Sequence, residues 1–393
     1  MGEAVTIKKE ADIKLDSFIK SYLNPKYIFL PIFDGFKLRV IDNSYVYKND
    51  IVMFTKEGKS IHSSISGRVL GVKDMLYSSN KKISSLVIEN DFKENIRVRK
   101  SARKFIEHYD KRSFVEILED TSLYYKEQYT IDKFKVKHKV LLINGIELEP
   151  YFGNKYFMLA NDAEAILETV DLIGELYDYE KIVFAIKNND SEIVANFMNL
   201  IGTYPHIEVR LLSDAYPNGM NEYLEKTLEL DDALSIDIEE IMNIYHILKK
   251  QTPVTDKLIT ITGNAVKPKC TIRVKYGTLL SEVFINNFDF TSECVDVYLN
   301  GMVSGSKVET LKYVIDSNID GVIIMEHSDH TVHDCLNCGI CSKNCPMNLN
   351  PKYVCDHEGR VKSEYKDGCL QCGLCNYFCP SHRDLKKSMR GSD

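Results

Sequence analysis

The fold class follows from the stretch Lys139-Val-Leu-Leu-Ile-Asn144-Gly145-Ile-Glu147-Leu-Glu149-Pro150. Its first part is a short, continuously apolar run, which is typical of a strand that helices cover on both faces. Apolar residues then recur at helical spacing over 162–177, and strand and helix patterns alternate over 181–186, 191–201 and 207–212. This βαβαβ order predicts an α/β fold with a doubly wound parallel sheet.

Two acidic residues follow the first strand of this unit. Ligands of open α/β sheets bind beyond the carboxyl ends of the strands. Glu147 and Glu149 stand at such an end, and they are therefore candidates for contact with a bound ligand. The alternative is a loop whose two acids contact only water, and the spacing alone does not separate the two interpretations.

Two cysteine runs, at 335–346 and 369–380, repeat the spacing C-x2-C-x2-C-x3-C-P. In this spacing three thiolates from a tight loop hold one [4Fe-4S] cluster, and the fourth commonly ligates the other cluster. Gly339 and Gly373 would let backbone amides approach the clusters closely. The spacing assigns one cluster to Cys335, Cys338, Cys341 and Cys379, and the second to Cys369, Cys372, Cys375 and Cys345.

Zinc and disulfides are the alternatives for these cysteines. Tetrahedral zinc does not require a third and a fourth thiolate at fixed spacing twice over. Disulfides are typical of small secreted domains, whereas this chain has 393 residues, and residues 1–30 lack the continuous apolar core of a signal peptide. The repeated spacing therefore favours iron–sulfur clusters over both alternatives.

Other candidate metal ligands lie outside the two runs. The remaining cysteines are Cys270, Cys294 and Cys355. We interpret Cys355, which is close to the runs, as a small buried apolar residue. The stretch His327-Ser-Asp-His330-Thr-Val-His333 resembles a metal-binding patch, but the set of thiolate ligands is complete without it. We interpret it as a solvated turn.

Composition narrows the class of protein. With 44% hydrophobic residues, the chain can form about two to four domains with sizeable cores. No apolar run reaches the ~18 residues of a membrane-spanning helix, so membrane association is expected only through partner subunits. The net charge of −7 argues against nucleic acid as a partner. Reduced, metal-loaded thiolates predict a cytoplasmic protein, peripheral at the membrane where partner subunits hold it there.

Turn signals and apolar patterns divide the chain into six segments. They are an N-terminal lead-in at 1–26, a barrel-sandwich hybrid at 27–95, a linker at 96–137 that is helical around 105–118, the α/β unit at 138–250, a β-grasp-like insert with a return to α/β patterning at 251–325, and the cysteine-rich domain at 326–393. The barrel-like segment resembles a lipoyl domain without its Met-Lys-Met tip. We therefore interpret it as a scaffold.

The order of these parts resembles the RnfC family, a component of Rnf electron-transport complexes, over about residues 27–385. Its most specific pieces are 143–151, close to the family's Asn-Gly-x-Glu-x-Glu-Pro-Tyr, then 216–219, 260–266 and the two cysteine runs. That family is similar in architecture to the flavin- and NADH-binding subunit of complex I. The resemblance implies an α/β flavin domain with Asn144, Glu147 and Glu149 next to the flavin. It also implies a C-terminal α-helical ferredoxin-like domain with two [4Fe-4S] clusters.

This chain departs from the family where flavin and nucleotide are bound. The family's loop Gly-Gly-x-Gly-Phe-Pro-Thr is missing, because no glycine occurs between Gly71 and Gly145, and other residues block a close backbone approach to phosphate. The family's Asn-Val-Gly-Thr appears as Asp237-Ile238-Glu239-Glu240, which adds negative charge. Met220 and Asn221 replace a glycine and a glutamate. We therefore expect the FMN and NADH sites to be lost or weakened.

These losses predict a two-cluster electron-transfer protein that needs no general acid or base. It would relay electrons between redox partners, either in an Rnf-type membrane complex or as the electron donor to a soluble amino-acid reductase. The alternative is an NADH-oxidising, flavin-containing subunit of an Rnf-type complex. A redox sensor is a remoter class, because the sequence offers no recognisable module for binding DNA.

Overall fold

The structure, a computed structural model, describes residues 2–7, 19–97, 105–106, 108–126, 128–188, 191–329, 331–357 and 361–390. Helices and strands alternate in a mixed, multidomain α/β chain with several separate sheets. The sequence predicts the same fold class, a multidomain α/β protein.

Two small antiparallel sheets form the first β unit. The strands of this part of the chain are β1 (Ile19–Tyr22), β2 (Tyr27–Pro31), β3 (Lys37–Leu38), β4 (Tyr45–Val46), β5 (Ile51–Phe54), β6 (Ser60–His62), β7 (Gly67–Leu76) and β8 (Lys82–Asn90). One sheet has the order β2-β8-β7-β4, and the other has the order β3-β5-β6. Ile28 of β2, Val52 of β5 and Val69 of β7 are fully buried in one core, so the two sheets pack together.

The connection to the next unit contains one full helix. It consists of α1 (Lys111–Thr121), the hairpin β9 (Tyr124–Tyr125) and β10 (Gln128–Tyr129), and the single turn α2 (Thr130–Lys133). The apolar pattern predicts the helix around 105–118, but the Asp110 side chain accepts a hydrogen bond from the Ser113 backbone N–H and caps the helix. The predicted boundary is therefore too early.

A parallel sheet of four strands forms the central unit. Its elements are β11 (Val140–Asn144), α3 (Asn154–Tyr177), β12 (Lys181–Lys187), α4 (Ser191–Ile201), β13 (Ile207–Leu212), α5 (Asn221–Thr227), β14 (Ala233–Asp237) and α6 (Ile238–Lys250). The strand order is β13-β12-β11-β14, and every neighbouring pair is parallel. All of β11 is buried, because one face packs on α3 and α6 and the other packs on α5. The predicted βαβαβ order is confirmed.

A mixed sheet of six strands forms the third unit. Its part of the chain contains β15 (Asp256–Thr262), β16 (Val266–Lys267), β17 (Cys270–Lys275), α7 (Leu280–Asn287), β18 (Asp289–Phe290), β19 (Val295–Leu299), β20 (Ser306–Val308) and β21 (Gly321–Glu326). The sheet order is β1-β17-β15-β21-β19-β20, so the lead-in strand β1 completes one edge. Residues 295–320 are all described and contain β19 and β20 but no helix, so the predicted return to α/β patterning is wrong there.

Short helices lie within and after the two cysteine runs. Those within the runs are α8 (Ile340–Lys343) and α10 (Leu374–Tyr377), and those after them are α9 (Pro351–Asp356) and α11 (Leu385–Ser388). Across the described ranges, no helix combines the length and apolar character that crossing a bilayer requires.

Candidate functional site

Asn144 stands at the carboxyl end of β11 and is buried. Its side-chain nitrogen donates to the Gly219 carbonyl oxygen at 2.8 Å and to Asn221 Oδ1 at 2.6 Å. Its side-chain oxygen accepts from the Ile146 backbone N–H at 3.0 Å. Asn144 therefore ties the end of β11 to the start of α5, and its side-chain groups are engaged within the protein.

Glu147 caps the helix that follows. Its Oε1 atom accepts hydrogen bonds from the backbone N–H groups of Lys155 at 2.6 Å and Tyr156 at 3.2 Å, in the first turn of α3. A carboxylate is favourable there because the first N–H groups of a helix lack partners within the helix. Burial nevertheless raises the pKa of Glu147 to about 7, although the Lys155 ammonium opposes that rise.

Glu149 is completely buried and holds the loop between β19 and β20. It accepts hydrogen bonds from the Ser304 backbone N–H at 2.7 Å, the Ser304 hydroxyl at 2.5 Å and the Val303 N–H at 3.3 Å. A Cβ atom at Gly301, where φ is +105°, would lie 2.2 Å from this carboxylate, so glycine is required. Burial raises the pKa of Glu149 to about 7.

The N-terminal segment 2–7 covers the same edge of the parallel sheet. Val5 and Tyr216 exchange two backbone hydrogen bonds of 2.8 and 2.9 Å. Ile7 is buried, and it lines a small cavity together with Glu147 and Glu149. Tyr216 in turn donates its hydroxyl proton to the Cys372 carbonyl oxygen at 2.5 Å. The segment 2–7 therefore covers this edge of the sheet, and Tyr216 connects the same edge to the second cysteine run.

Buried charges lie behind this edge, in the segment 237–240. There this chain has three acids where the family it resembles has uncharged residues. Each acid is matched by a lysine: Asp237 by Lys155, Glu240 by Lys133 at 2.6 Å, and Glu239 by Lys257 at 3.7 Å. Burial raises the pKa of Glu239 and of Glu240. Burial acts in the same direction on Asp237, but Lys155, Lys126 and the hydrogen bond from the Glu239 N–H together outweigh it, and the pKa of Asp237 is lowered. The predicted extra negative charge is thus paired inside the protein.

Four cysteines from both runs surround one cavity. They are Cys345 of the first run and Cys369, Cys372 and Cys375 of the second. Burial raises the pKa of Cys372 to about 11 and that of Cys375 to about 12, and the neighbouring thiols add to the rise. Four such thiols become ligands only as thiolates, which a bound cationic metal centre would stabilise. Their position and chemistry fit a [4Fe-4S] cluster held by the predicted crossed set.

The two runs share a local geometry. Gly339 and Gly373 have positive φ angles of 71° and 82°, and each begins a helix of four residues, α8 or α10. A Cβ atom at Gly373 would lie 1.8 Å from the Val303 carbonyl oxygen, so the second run needs glycine for a close approach. Backbone N–H groups donate to sulfur at Cys335 (3.4 Å) and Cys345 (3.3 Å). Such N–H to sulfur bonds also tune iron–sulfur clusters.

The first predicted ligand set lies nearer to solvent. Of Cys335, Cys338, Cys341 and Cys379, Cys341 is buried and Cys338 is exposed. Arg383 donates to Cys355 Sγ at 3.2 Å and also bonds to Cys335. Cys355 is only partly buried and accepts this bond, so its interpretation as a buried apolar residue is wrong. Sequence reasoning missed Arg383 as a cationic neighbour of this set.

His327, the first residue of the histidine stretch, makes two ion pairs. His327 contacts Asp296 at 2.8 Å and Asp329 at 3.2 Å, and these acids raise its pKa. His330 lies outside the described residues. Within the described ranges, no three His, Cys, Asp or Glu side chains are grouped as they would be around a single metal ion. A cubane cluster is larger than one ion, so its ligands stand farther apart than those of a mononuclear site.

A Glu147→Gln variant should reveal the effect of burying this acid. The pKa of Glu147 is raised above its ordinary value, so the folded state binds more protons than the unfolded state and the free energy of unfolding falls as pH rises from about 5 to 8. Glutamine keeps the accepting oxygen without the charge. We expect the variant to gain stability relative to the parent protein between pH 5 and pH 8, as measured by urea unfolding. A constant difference across this range would contradict the expectation.

A family model matches the part of the chain that carries these strand ends. Residues 122–235 match the Nuo51 FMN-binding domain. The matched range contains Asn144, Glu147 and Glu149 and ends before the two cysteine runs.

Curated relatives are C subunits of ion-translocating oxidoreductase complexes. The C subunit from the ion-translocating oxidoreductase complex of Haemophilus influenzae (strain PittEE) is 24% identical over 239 residues, which covers 57% of this chain and 37% of the relative. The C subunit from the Na(+)-translocating ferredoxin:NAD(+) oxidoreductase complex of Acetobacterium woodii is 23% identical over 324 residues, which covers 76% of this chain and 72% of the relative. The chain thus spans little more than a third of the Haemophilus relative and most of the Acetobacterium relative.

A solved structure of an NAD+-reducing [NiFe]-hydrogenase in the H2-reduced state is also similar. The match has a TM-score of 0.46 and 12% identity, and it covers 56% of this chain and 48% of that chain. At this level the likeness carries no argument about function.

Proposed function

We propose that this chain, a divergent relative of the RnfC proteins, relays electrons between redox partners through two [4Fe-4S] clusters. Its resemblance to that family is confirmed by the curated relatives and the family model. The observation that carries the proposal is the cavity lined by Cys345 from one run and Cys369, Cys372 and Cys375 from the other. A crossed fourth ligand is the arrangement of two-cluster ferredoxins.

The shared geometry of the two runs supports the other cluster. Positive φ at Gly339 and Gly373, and a short helix after each, give both runs the same loop. Cys335, Cys338 and Cys341 would hold this cluster together with Cys379 from the second run. Bound clusters supply one-electron transfer, and the protein sets their potentials through N–H to sulfur bonds, nearby charges and burial.

The contacts at the strand ends support the loss of the flavin and nucleotide site. Both side-chain polar atoms of Asn144, both carboxylate oxygens of Glu149 and the Oε1 atom of Glu147 are bound to backbone or neighbouring side chains. Ile7 of the segment 2–7 lines a small cavity together with Glu147 and Glu149. The edge offers no glycine loop for a phosphate, and the lysines behind it are paired with acids. These residues do not fit FMN.

Sheet order supports the finer division of the chain. In the third unit the order β17-β15-β21-β19-β20, with α7 after β17, is that of a β-grasp, and it supports the β-grasp-like interpretation of 251–325. The two packed sheets of 27–95 support a barrel-sandwich hybrid, and the short helices of 326–393 support a ferredoxin-like domain. The proposal keeps 1–26 as lead-in, 96–137 as linker and 138–250 as the flavin-domain-like unit.

The second candidate is an NADH-oxidising flavin subunit. The match of residues 122–235 to an FMN-binding domain favours it. In either case the proposed partners are other redox proteins: the remaining subunits of an Rnf-type complex, or a soluble amino-acid reductase. With such partners, the chain would work in the cytoplasm or at the cytoplasmic face of the membrane.

Metal and flavin analysis of anaerobically purified protein tests the proposal. We expect about eight iron atoms and as many acid-labile sulfides per chain, since two cubanes hold four of each. Flavin released by acid should be far below one per chain. An iron content near four, or zinc in place of iron, would contradict the two-cluster proposal. One flavin per chain would favour the second candidate instead.

A further inference from the structure

A cavity of about 350 Å³ lies at the meeting point of three parts of the chain. Tyr77 of the first β unit, Tyr129 of the linker and Tyr276 of the third unit all line it. Cavities of about 300–1,000 Å³ at domain boundaries are the usual sites of small molecules. It shares no lining residue with the strand-end cavity or the cysteine cavity. Its occupant would therefore not be part of the proposed relay.

One wall of this cavity is a row of aromatic rings. The ring centroids of Phe33 and Tyr124 are 5.5 Å apart, and those of Tyr124 and Tyr129 are 5.0 Å apart. Aromatic rings interact favourably with another ring that stacks against them or meets them edge to face. Aliphatic groups such as Ile83 and Val254 complete the apolar lining. The wall therefore suits a flat ring compound.

The charges of the lining restrict the ligand further. The described lining residues include no lysine or arginine, and their titratable side chains other than tyrosine are His62 and Asp316. Burial lowers the pKa of His62 to about 4, so its ring is neutral at pH 7. Burial also raises the pKa of Asp316, whose oxygens accept hydrogen bonds from the Ser78 hydroxyl at 2.7 Å and the Asn318 N–H at 2.9 Å. The Lys59 ammonium, 4.2 Å from the centroid of the Tyr129 ring, is already paired with Asp132 at 2.9 Å. The described lining therefore offers an anionic ligand no unpaired cation.

We propose that this cavity binds an uncharged, flat aromatic molecule that carries a hydrogen-bonding group. The ring would stack on the wall of Phe33, Tyr124 and Tyr129. Its polar group would bond to His62, which as a neutral imidazole offers one donor and one acceptor, or donate to a carboxylate oxygen of Asp316. FMN, nucleotides and carboxylic acids are excluded by the same charge argument.

The test compares 2-naphthol with 2-naphthoate, a probe pair of similar shape, by isothermal titration calorimetry of the full chain at pH 7. Ser79 is exposed and lines the cavity, so Ser79→Trp should block it without disturbing a core. Ser84 is exposed on the same hairpin and lines no part of the cavity, so Ser84→Trp is the matched control. We expect 2-naphthol to bind the parent protein at least about tenfold more tightly than 2-naphthoate, a difference of ~1.4 kcal/mol.

Ser79→Trp should weaken 2-naphthol binding about tenfold or more, and Ser84→Trp should leave it unchanged. Absence of 2-naphthol binding to the parent protein would overturn the proposal. So would equal binding of 2-naphthoate, or equal loss in the two tryptophan variants. Iron content and flavin content are not expected to change in either variant, so the outcome is independent of the proposed relay.

Discussion

Replacing Cys345 by serine is expected to remove the cluster anchored by the second cysteine run while the cluster of its own run survives. The reason is the crossed geometry, in which Cys345 lines one cavity with Cys369, Cys372 and Cys375. Iron should fall from about eight to about four atoms per chain, because one of two cubanes is lost. Iron analysis and EPR of the reduced protein would measure which signal disappears.

Two further variants show whether the loss of one cluster is specific to the crossed ligand: a reciprocal one in the second run and a control at a cysteine outside both runs. Cys379→Ser should remove the other cluster signal and leave the one that depends on Cys345. Cys294→Ser should lose neither, because Cys294 is exposed and outside both runs. If Cys345→Ser instead lost the signal that Cys335→Ser loses, the ligand sets would be uncrossed.

Lys257→Met is expected to cause a large loss of stability. The Lys257 side chain is fully buried, and its Nζ atom contacts Asp320 Oδ1 at 3.1 Å, the Ser317 carbonyl oxygen at 3.0 Å and Glu239 Oε1 at 3.7 Å. Removing one partner of a buried ion pair costs about 3–5 kcal/mol. Here Glu239 loses the lysine that pairs with it, whereas Asp320 keeps Lys126 at 2.8 Å. Urea unfolding followed by circular dichroism would measure the loss.

An exposed ion pair provides the control for this substitution. Arg112 and Glu116 form a pair on the surface of α1, and Arg112→Met should leave the free energy of unfolding almost unchanged. The loss in Lys257→Met should also grow from pH 5.5 to pH 8. Burial raises the pKa of Glu239, and at higher pH this acid would have to carry its charge without Lys257. Equal, small effects of both substitutions would contradict the role of Lys257 as a buried link between α6 and the third unit.

The central sheet could be predicted from the sequence because burial imposes a clear pattern. The run 140–144 is apolar at four positions because both faces of β11 are covered, and the strand is found there. Ser191–Ile201 and Ile207–Leu212 were likewise found at the predicted positions. The start of α1 was missed because it depends on a capping box, in which the Ser113 backbone N–H donates to the Asp110 side chain and the Asp110 N–H donates to the Ser113 hydroxyl, and not on periodicity.

The strand-end site was predicted in position but not in its contacts. Glu149 is bound by Ser304, which lies 155 residues away along the chain, and no local pattern reports such a partner. Asp237, Glu239 and Glu240 were recognised as added charge, while the lysines that pair with them come from distant segments. The edge strand β1 was missed for the same reason, because its partner β17 begins at Cys270.

The central claim is that this chain relays electrons but has no working flavin site. Its most direct test is to add NADH to the anaerobically purified, oxidised protein. The broad iron–sulfur absorbance should persist when NADH is added and bleach when dithionite is added, since the strand-end residues that would contact flavin are engaged within the protein. Rapid bleaching by NADH, together with one flavin released per chain, would contradict it.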